Sequence, residues 1–336
     1  MPKRERRTIV ARASARVDLA GGSLDLWPVG LIVGGACTVN VAVSLRATVE
    51  LLRTDRPGLR LVSEDLGADY LWKPGRAPGP LPLVERFCQA FGLSEGWEVA
   101  ARSDVPPGSG LGGSSALSVA LLLALGACTG RTMEKAGAAA FCRDLEAVNL
   151  GIPTGVQDFW PALAGGVLCI RYEPGGEAVE RIPVSLADLK TRLLVAYSGQ
   201  SRVSARTNWE LIKRCLNGDP KTRGHLAGVA AAASELRERL CAGDLDGAGP
   251  LLTREWEHRR QLARGISTPR VERLLRAARE AGASGGKACG AGGGGCLAFW
   301  VPQGARWKVA QALEREGAAV LEARPVSRGH SLEVVP

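Results

Sequence analysis

Pro106-Pro-Gly-Ser-Gly-Leu-Gly-Gly-Ser-Ser-Ala116 is the stretch on which the reading of this 336-residue chain turns. Its glycines let backbone N–H groups converge on an anion, and the apolar run after it predicts a helix from about Ser114 whose N-terminal dipole adds positive potential. Pro107, Gly108, Ser109, Gly110, Leu111, Gly112, Gly113, Ser114, Ser115 and Ala116 are therefore candidate nucleotide-binding residues. Three phosphate-binding patterns overlap here. The string fits G-x-G-x-x-G, and Glu134 lies about 20 residues beyond, as a dinucleotide site arranges its acid. It also fits a Walker A loop, except that Ser114 stands where the lysine belongs. A dinucleotide fold puts its loop after the first strand rather than past residue 100, and a Walker loop without lysine lacks its phosphate cation. The tandem hydroxyls Ser114 and Ser115 instead suggest a loop in which a hydroxyl holds Mg²⁺ or a phosphate oxygen; they also suit helix caps.

Upstream, residues 8–20 alternate as a strand, 34–51 contain a β-rich stretch, 83–91 read as a helix, and 97–102 form the strand entering the glycine loop. Downstream come a helix over 131–149 and strands near 165–172 and 192–197. Helices follow over 204–215, 225–242, 245–264 and 269–281. A second glycine-rich loop, 285–295, precedes a strand at 296–301, a helix over 303–316 and a last strand near 318–326. The pattern is α+β rather than regular βαβ alternation, with a first domain over 1–187 and a second over 188–336.

Composition excludes several function classes. The net charge of +9 fits an Arg-rich solvated surface, or a positive field that steers phosphate-bearing substrates. Basic residues are scattered, and the small cluster of Lys3, Arg4, Arg6 and Arg7 reads as a frayed terminus without interleaved aromatics, so no nucleic-acid partner is expected. The nine cysteines include no CxxC pair and read as buried free thiols of a reducing compartment. The run 116–128 is too short to span a bilayer and reads as a core helix, and the N-terminus lacks a signal-peptide pattern. The expectation is a cytoplasmic protein with no membrane partner.

Two further stretches complete a pattern. The glycine loop resembles the second motif of the GHMP kinases, a family that includes galactokinase, homoserine kinase and mevalonate kinase. Arg16-Val-Asp-Leu-Ala-Gly-Gly-Ser-Leu-Asp25 resembles the family's first motif, which faces the acceptor. Lys287-Ala-Cys-Gly-Ala-Gly-Gly-Gly-Gly-Cys296 resembles the third, which supports the nucleotide loop. The resemblance implies a two-lobed fold, with an N-terminal lobe like ribosomal protein S5 domain 2 and a ferredoxin-like C-terminal lobe with extra helices. It implies an ATP-dependent small-molecule kinase acting as a monomer or homodimer.

Glu146-Ala-Val-Asn-Leu-Gly-Ile-Pro-Thr-Gly-Val-Gln-Asp158 supplies the carboxylates that phosphoryl transfer needs. Read alone, Glu146 also fits a solvated helix charge, and Asp158 a helix N-cap. By resemblance, Ser115 and Glu146 hold Mg²⁺ and Asp158 is the general base or orients the acceptor hydroxyl. Its spacing after the glycine is galactokinase-like. Arg16 matches an arginine that stabilises a deprotonating hydroxyl. Ser23, Asp25, Gly155, Gly292 and Arg202 are the expected substrate contacts; Trp27 suits stacking on a sugar face or packing, and Arg202 with Arg206 suits a substrate phosphate or the surface. The motifs look most like heptose 7-phosphate kinases and fucokinase-type sugar kinases, so the expected acceptor is a sugar or sugar phosphate. The alternatives are a mevalonate-pathway kinase, a diphosphomevalonate decarboxylase, or a non-catalytic ATP and sugar sensor.

Overall fold

The computed structural model describes residues 8–200 and 205–335; the basic N-terminal cluster lies outside them. Strand β1 (Thr8–Ala20) leads through a glycine turn and the short helix α1 (Val29–Val33) to β2 (Cys37–Arg53), then to the hairpin β3 (Leu59–Ser63) and β4 (Ala68–Trp72). Helix α2 (Pro82–Phe91) and strand β5 (Trp97–Ser103) precede the glycine loop and α3 (Gly113–Thr129). Helices α4 (Lys135–Leu150) and α5 (Phe159–Ala164) and strands β6 (Val167–Glu173) and β7 (Gly176–Arg181) follow. Then come α6 (Leu186–Arg192), β8 (Leu193–Tyr197), α7 (Ala205–Leu216), α8 (Pro220–Cys241), α9 (Ala248–Arg259) and α10 (Pro269–Glu280). The chain closes with β9 (Gly285–Ala288), β10 (Cys296–Trp300), α11 (Arg306–Arg315), β11 (Ala319–Leu321) and β12 (His330–Val335).

The elements make the expected α+β architecture of two lobes. The first sheet runs β12-β1-β2-β5-β3-β4, with β6 and β7 branching from the early half of the long strand β2; the second runs β11-β8-β10-β9. Helix α3 is apolar on all sides because it is enclosed, packing against β1, β2, α2, α4 and α5. Phe87, Leu121, Leu125 and Phe159 fill that core, each burial stabilising by about 1.5–3 kcal/mol. A second core joins the lobes, with Val17, Leu19 and Val39 meeting Val195, Leu252 and Ala298. Leu24 and Leu26, just after the first glycine turn, sit in a third core with residues of α7, α8 and α10. The first glycine turn is thereby anchored in the second lobe.

Several local readings change. Residues 285–288, read as loop, are a strand paired antiparallel with β10, and α9 lies directly on their backbone: a Cβ at Gly285 would come within 1.8 Å of the Gly249 carbonyl oxygen. The elements β3, β4, β7, β12, α1 and α6 are additional to those the sequence pattern gave. The boundary at 187/188 falls inside α6, and β12 returns to pair antiparallel with β1. We therefore propose the two-domain division for residues up to about 329, with the terminal strand belonging to the first sheet by its pairing. Among the described residues, no helix is long and apolar enough to cross a membrane.

Candidate active site

The three glycine-rich stretches meet around one cavity of about 640 Å³. The loop from Pro106 reaches it through Pro107, Gly108, Ser109, Gly110, Gly112, Gly113, Ser114 and Ser115. Leu111 and Ala116 do not line it; they are fully buried in the cores beneath. The loop enters α3 through Gly112 in the left-handed region (φ 72°), and no side chain caps the helix. Ser114 and Ser115 lie within the first turn instead of capping it. An uncapped N-terminus facing a cavity leaves its dipole for an anion. The Ser109 hydroxyl, 2% exposed, has no hydrogen-bond partner among the described residues and adds a donor to the same loop.

The third glycine stretch braces this loop from behind. Cys296 N donates to the Ser109 carbonyl at 2.6 Å, and a Cβ at Gly295 (φ 73°) would come within 2.5 Å of that same oxygen. Gly290 and Ala291 line the cavity. Gly292 does not; its backbone packs on Ile266.

The first stretch supplies a guanidinium. Register shifts at Ser14/Arg16 and Asp18/Ala20 interrupt the β1–β2 ladder on either side of Arg16, and such irregularities re-aim side chains. The Arg16 side chain donates from Nε to Asp158 Oδ1 at 2.7 Å, with NH2 2.6 Å from the same oxygen, while NH1 donates to the Gly110 carbonyl at 2.5 Å. Its backbone N–H also donates to the Leu111 carbonyl. Burial works against the Arg16 charge, but Asp158 and Asp18 outweigh it and raise its pKa further. Asp158 stands at the start of α5 but makes no capping bond; its side chain serves Arg16 and stays about a quarter exposed, towards the cavity.

Two more carboxyls line the wall. Asp25 accepts from Gln157 N at 3.3 Å and Gln157 Nε2 at 3.1 Å. Burial, reinforced by the Asp158 charge, pushes its pKa up to about 7. Gly155 has no room for a side chain, since a Cβ would stand 1.7 Å from Asp25 Oδ2. Glu146, on α4, is 6% exposed rather than solvated. Ser115 Oγ donates to its Oε1 at 3.5 Å and Thr154 Oγ1 to its Oε2 at 3.1 Å. Burial, with the Asp158 charge adding to it, raises the Glu146 pKa, and no ion pair reaches it among the described residues. A buried acid beside hydroxyls, lacking a cation, is a donor set suited to a hard divalent ion.

Ser23 joins Asp25 and Arg16 in the lining, whereas Trp27 lies outside it, 74% exposed on a smaller neighbouring cavity that shares Asp25 and Thr154. Arg202 and the side chain of Arg206 lie outside the described residues. Sequence reasoning missed the apolar wall beyond the glycine loop, formed by Leu66, Pro80, Leu81, Leu117, Leu150 and Ile152. These residues come from four separate segments and carry no shared local signal. It also missed Arg259, which lines the same cavity.

Family models for the GHMP kinase N-terminal domain and the GHMP kinase C-terminal region match residues 80–166 and 232–319. D-glycero-alpha-D-manno-heptose 7-phosphate kinase of Campylobacter jejuni is 25% identical over 92% of this chain and 94% of its own length. L-fucokinase/L-fucose-1-P guanylyltransferase of Bacteroides fragilis is 27% identical over 85% of this chain, which spans only 34% of that longer protein. Mevalonate kinase of Pyrococcus horikoshii is 26% identical over 97% and 98% of the two chains. Among solved structures, Lactococcus lactis galactokinase complexed with galactose superposes with a TM-score of 0.78 at 16% identity, covering 96% and 95% of the two chains. A glycine loop braced from the second lobe, an Arg–Asp pair beside it and family matches in both lobes have one explanation: this chain belongs to the GHMP kinases.

Proposed function

We propose that this protein transfers the γ-phosphoryl group of ATP to a hydroxyl of a sugar or sugar phosphate, with a heptose 7-phosphate as the foremost acceptor. The observation that carries this reading is the Arg16–Asp158 pair, set between the uncapped start of α3 and the polar corner of Ser23 and Asp25. That corner offers paired donors and acceptors, which a polyhydroxylated ligand satisfies. The heptose assignment draws support from the Campylobacter relative.

The roles follow from position. The glycine loop and Ser109 hold the nucleotide's phosphates, and the apolar wall of Leu81, Leu117 and Ile152 accepts the base. Asp158 accepts the proton of the acceptor hydroxyl as its oxygen bonds to the γ-phosphorus and the bond to the β-phosphate oxygen breaks, releasing ADP. Arg16 stabilises the developing alkoxide and fixes the Asp158 carboxylate. Ser115 and Glu146 would hold Mg²⁺, which when bound neutralises charge on the phosphates.

An ADP-release screen over free sugars, sugar phosphates and mevalonate tests the reading. Turnover of a sugar or sugar phosphate, with mevalonate inert, is the expected result. Turnover of mevalonate alone would overturn it.

A further inference from the structure

Two residues beyond Arg16, the same strand carries Asp18 into a second charge cluster. Asp18, Glu255, Arg259 and Lys287 are all 0–1% exposed. Lys287 Nζ lies 3.0 Å from Asp18 Oδ1 and 2.9 Å from Glu255 Oε1. Arg259 NH1 lies 2.7 Å from Asp18 Oδ2 and 3.2 Å from Glu255 Oε1. Two carboxylates thus balance two cations between the first sheet, α9 and β9. Asp18 is held well below the usual carboxylate range, its burial outweighed by Lys287 and Arg259.

The guanidinium is not fully used by this cluster. Among the described residues, only NH1 contacts the carboxylates and the buried Nε has no hydrogen-bond partner. Arg259 nonetheless lines the main cavity, beside Ser23, Asp25 and Arg16. The first glycine turn is built around it: a Cβ at Gly22 would come within 2.2 Å of Arg259 NH1. A buried donor without a partner costs free energy unless a ligand satisfies it.

We propose that Arg259 is an acceptor-binding residue that donates to an uncharged hydroxyl or ring oxygen of the acceptor, with Asp18, Glu255 and Lys287 as its positioning frame. The assignment rests on the sugar-kinase reading above. An uncharged oxygen fits better than a phosphate because the guanidinium's charge is already balanced by Asp18 and Glu255, and the neighbouring wall carries the acids Asp25 and Asp158. The fixed fork of an arginine also selects geometry in a way that a lysine does not.

The test uses the full-length enzyme, Arg259→Lys, and D-glycero-D-manno-heptose 7-phosphate with its monodeoxy analogues. Arg259→Lys keeps the buried positive charge, so the fold survives. It is expected to raise the acceptor KM about tenfold to a hundredfold while the ATP KM stays within about twofold. One monodeoxy analogue should lose that same factor with the wild type and nothing further with Arg259→Lys. Gly22→Ala, which presses on the same guanidinium without altering charge, should reproduce the acceptor-selective defect. An unchanged acceptor KM, or equal losses for ATP and acceptor, would overturn the assignment. A defect that depends on the acceptor's phosphate, with every deoxy analogue behaving alike, would overturn the choice of an uncharged oxygen. If the wild type phosphorylates no sugar at all, the proposed function fails first, and this assignment falls with it.

Discussion

Arg16–Asp158 and the Asp18–Arg259–Glu255–Lys287 cluster start two residues apart on one strand, yet only the first keeps a partner substantially exposed. Asp158 has about a quarter of its side-chain surface open to the cavity, whereas the four side chains of the cluster are almost wholly buried, with Arg259 alone reaching the cavity lining. An open ion pair can exchange one partner for a substrate atom at little cost. A sealed one is destabilised strongly when a partner is removed, because the remaining charge is left buried and uncompensated. The same pair of residue types therefore stands partly open to the cavity at one position and almost wholly buried between the lobes at the next.

The largest expected effect separates the two directly. Asp158→Asn should lower kcat by roughly 10³-fold while calorimetry shows ATP binding retained; a variant within tenfold of wild type would remove Asp158 from the proton-accepting role. Asp18→Asn should act chiefly on stability. Loss of its charge leaves Arg259 and Lys287 underbalanced, costing about 3–5 kcal/mol of stability, read as a lower chemical-denaturation midpoint. A midpoint unchanged from wild type would show that the cluster does not hold the lobes.

Smaller effects sharpen the contrast at the open site. Glu146→Gln should weaken Mg²⁺-dependent nucleotide binding, on the order of tenfold, and leave metal-free nucleotide binding nearly unchanged; equal losses with and without the ion would remove Glu146 from the metal site. Asp25 gives the smallest and most condition-dependent signal. Its pKa is about 7 in the fold against an ordinary 3.8, so the folded chain binds this proton more tightly than the unfolded chain. The stability it contributes is complete below about pH 4 and is lost as pH rises through 7. Asp25→Asn lacks that titration, so its melting temperature should gain on wild type by a few degrees between pH 6 and pH 8. A constant difference across that range would show that Asp25 does not titrate there.

Much of this was legible before folding was considered. The alternation of β1, the apolar α3 and the three glycine stretches follow local periodicity and local backbone demands, so they can be read from short windows. Strand β3 alternates over only five residues, and β4, β7 and the partly exposed β12 carry little apolar pattern of their own. Strand β12 exists because β1 offers it a ladder some 320 residues earlier in the chain, with Thr8 opposite Val335. Strand β9 was hidden for another reason: its glycines, which weaken a strand in isolation, are what let α9 lie against its backbone.

The site divides in the same way. The sequence by itself determined the glycine loop and the residue types that line the cavity from the first and second stretches, because glycine spacing and carboxylate spacing act through the local chain. Only the tertiary structure decided the partnerships. Arg16 meets Asp158 across 142 residues, Glu146 is buried beside Ser115, and Asp18 meets Lys287 across 269 residues. Arg259 was illegible for that reason: in the Arg-rich stretch that ends α9 it reads as one more surface charge, and packing of the second lobe onto β1 is what closes it into the wall of the cavity.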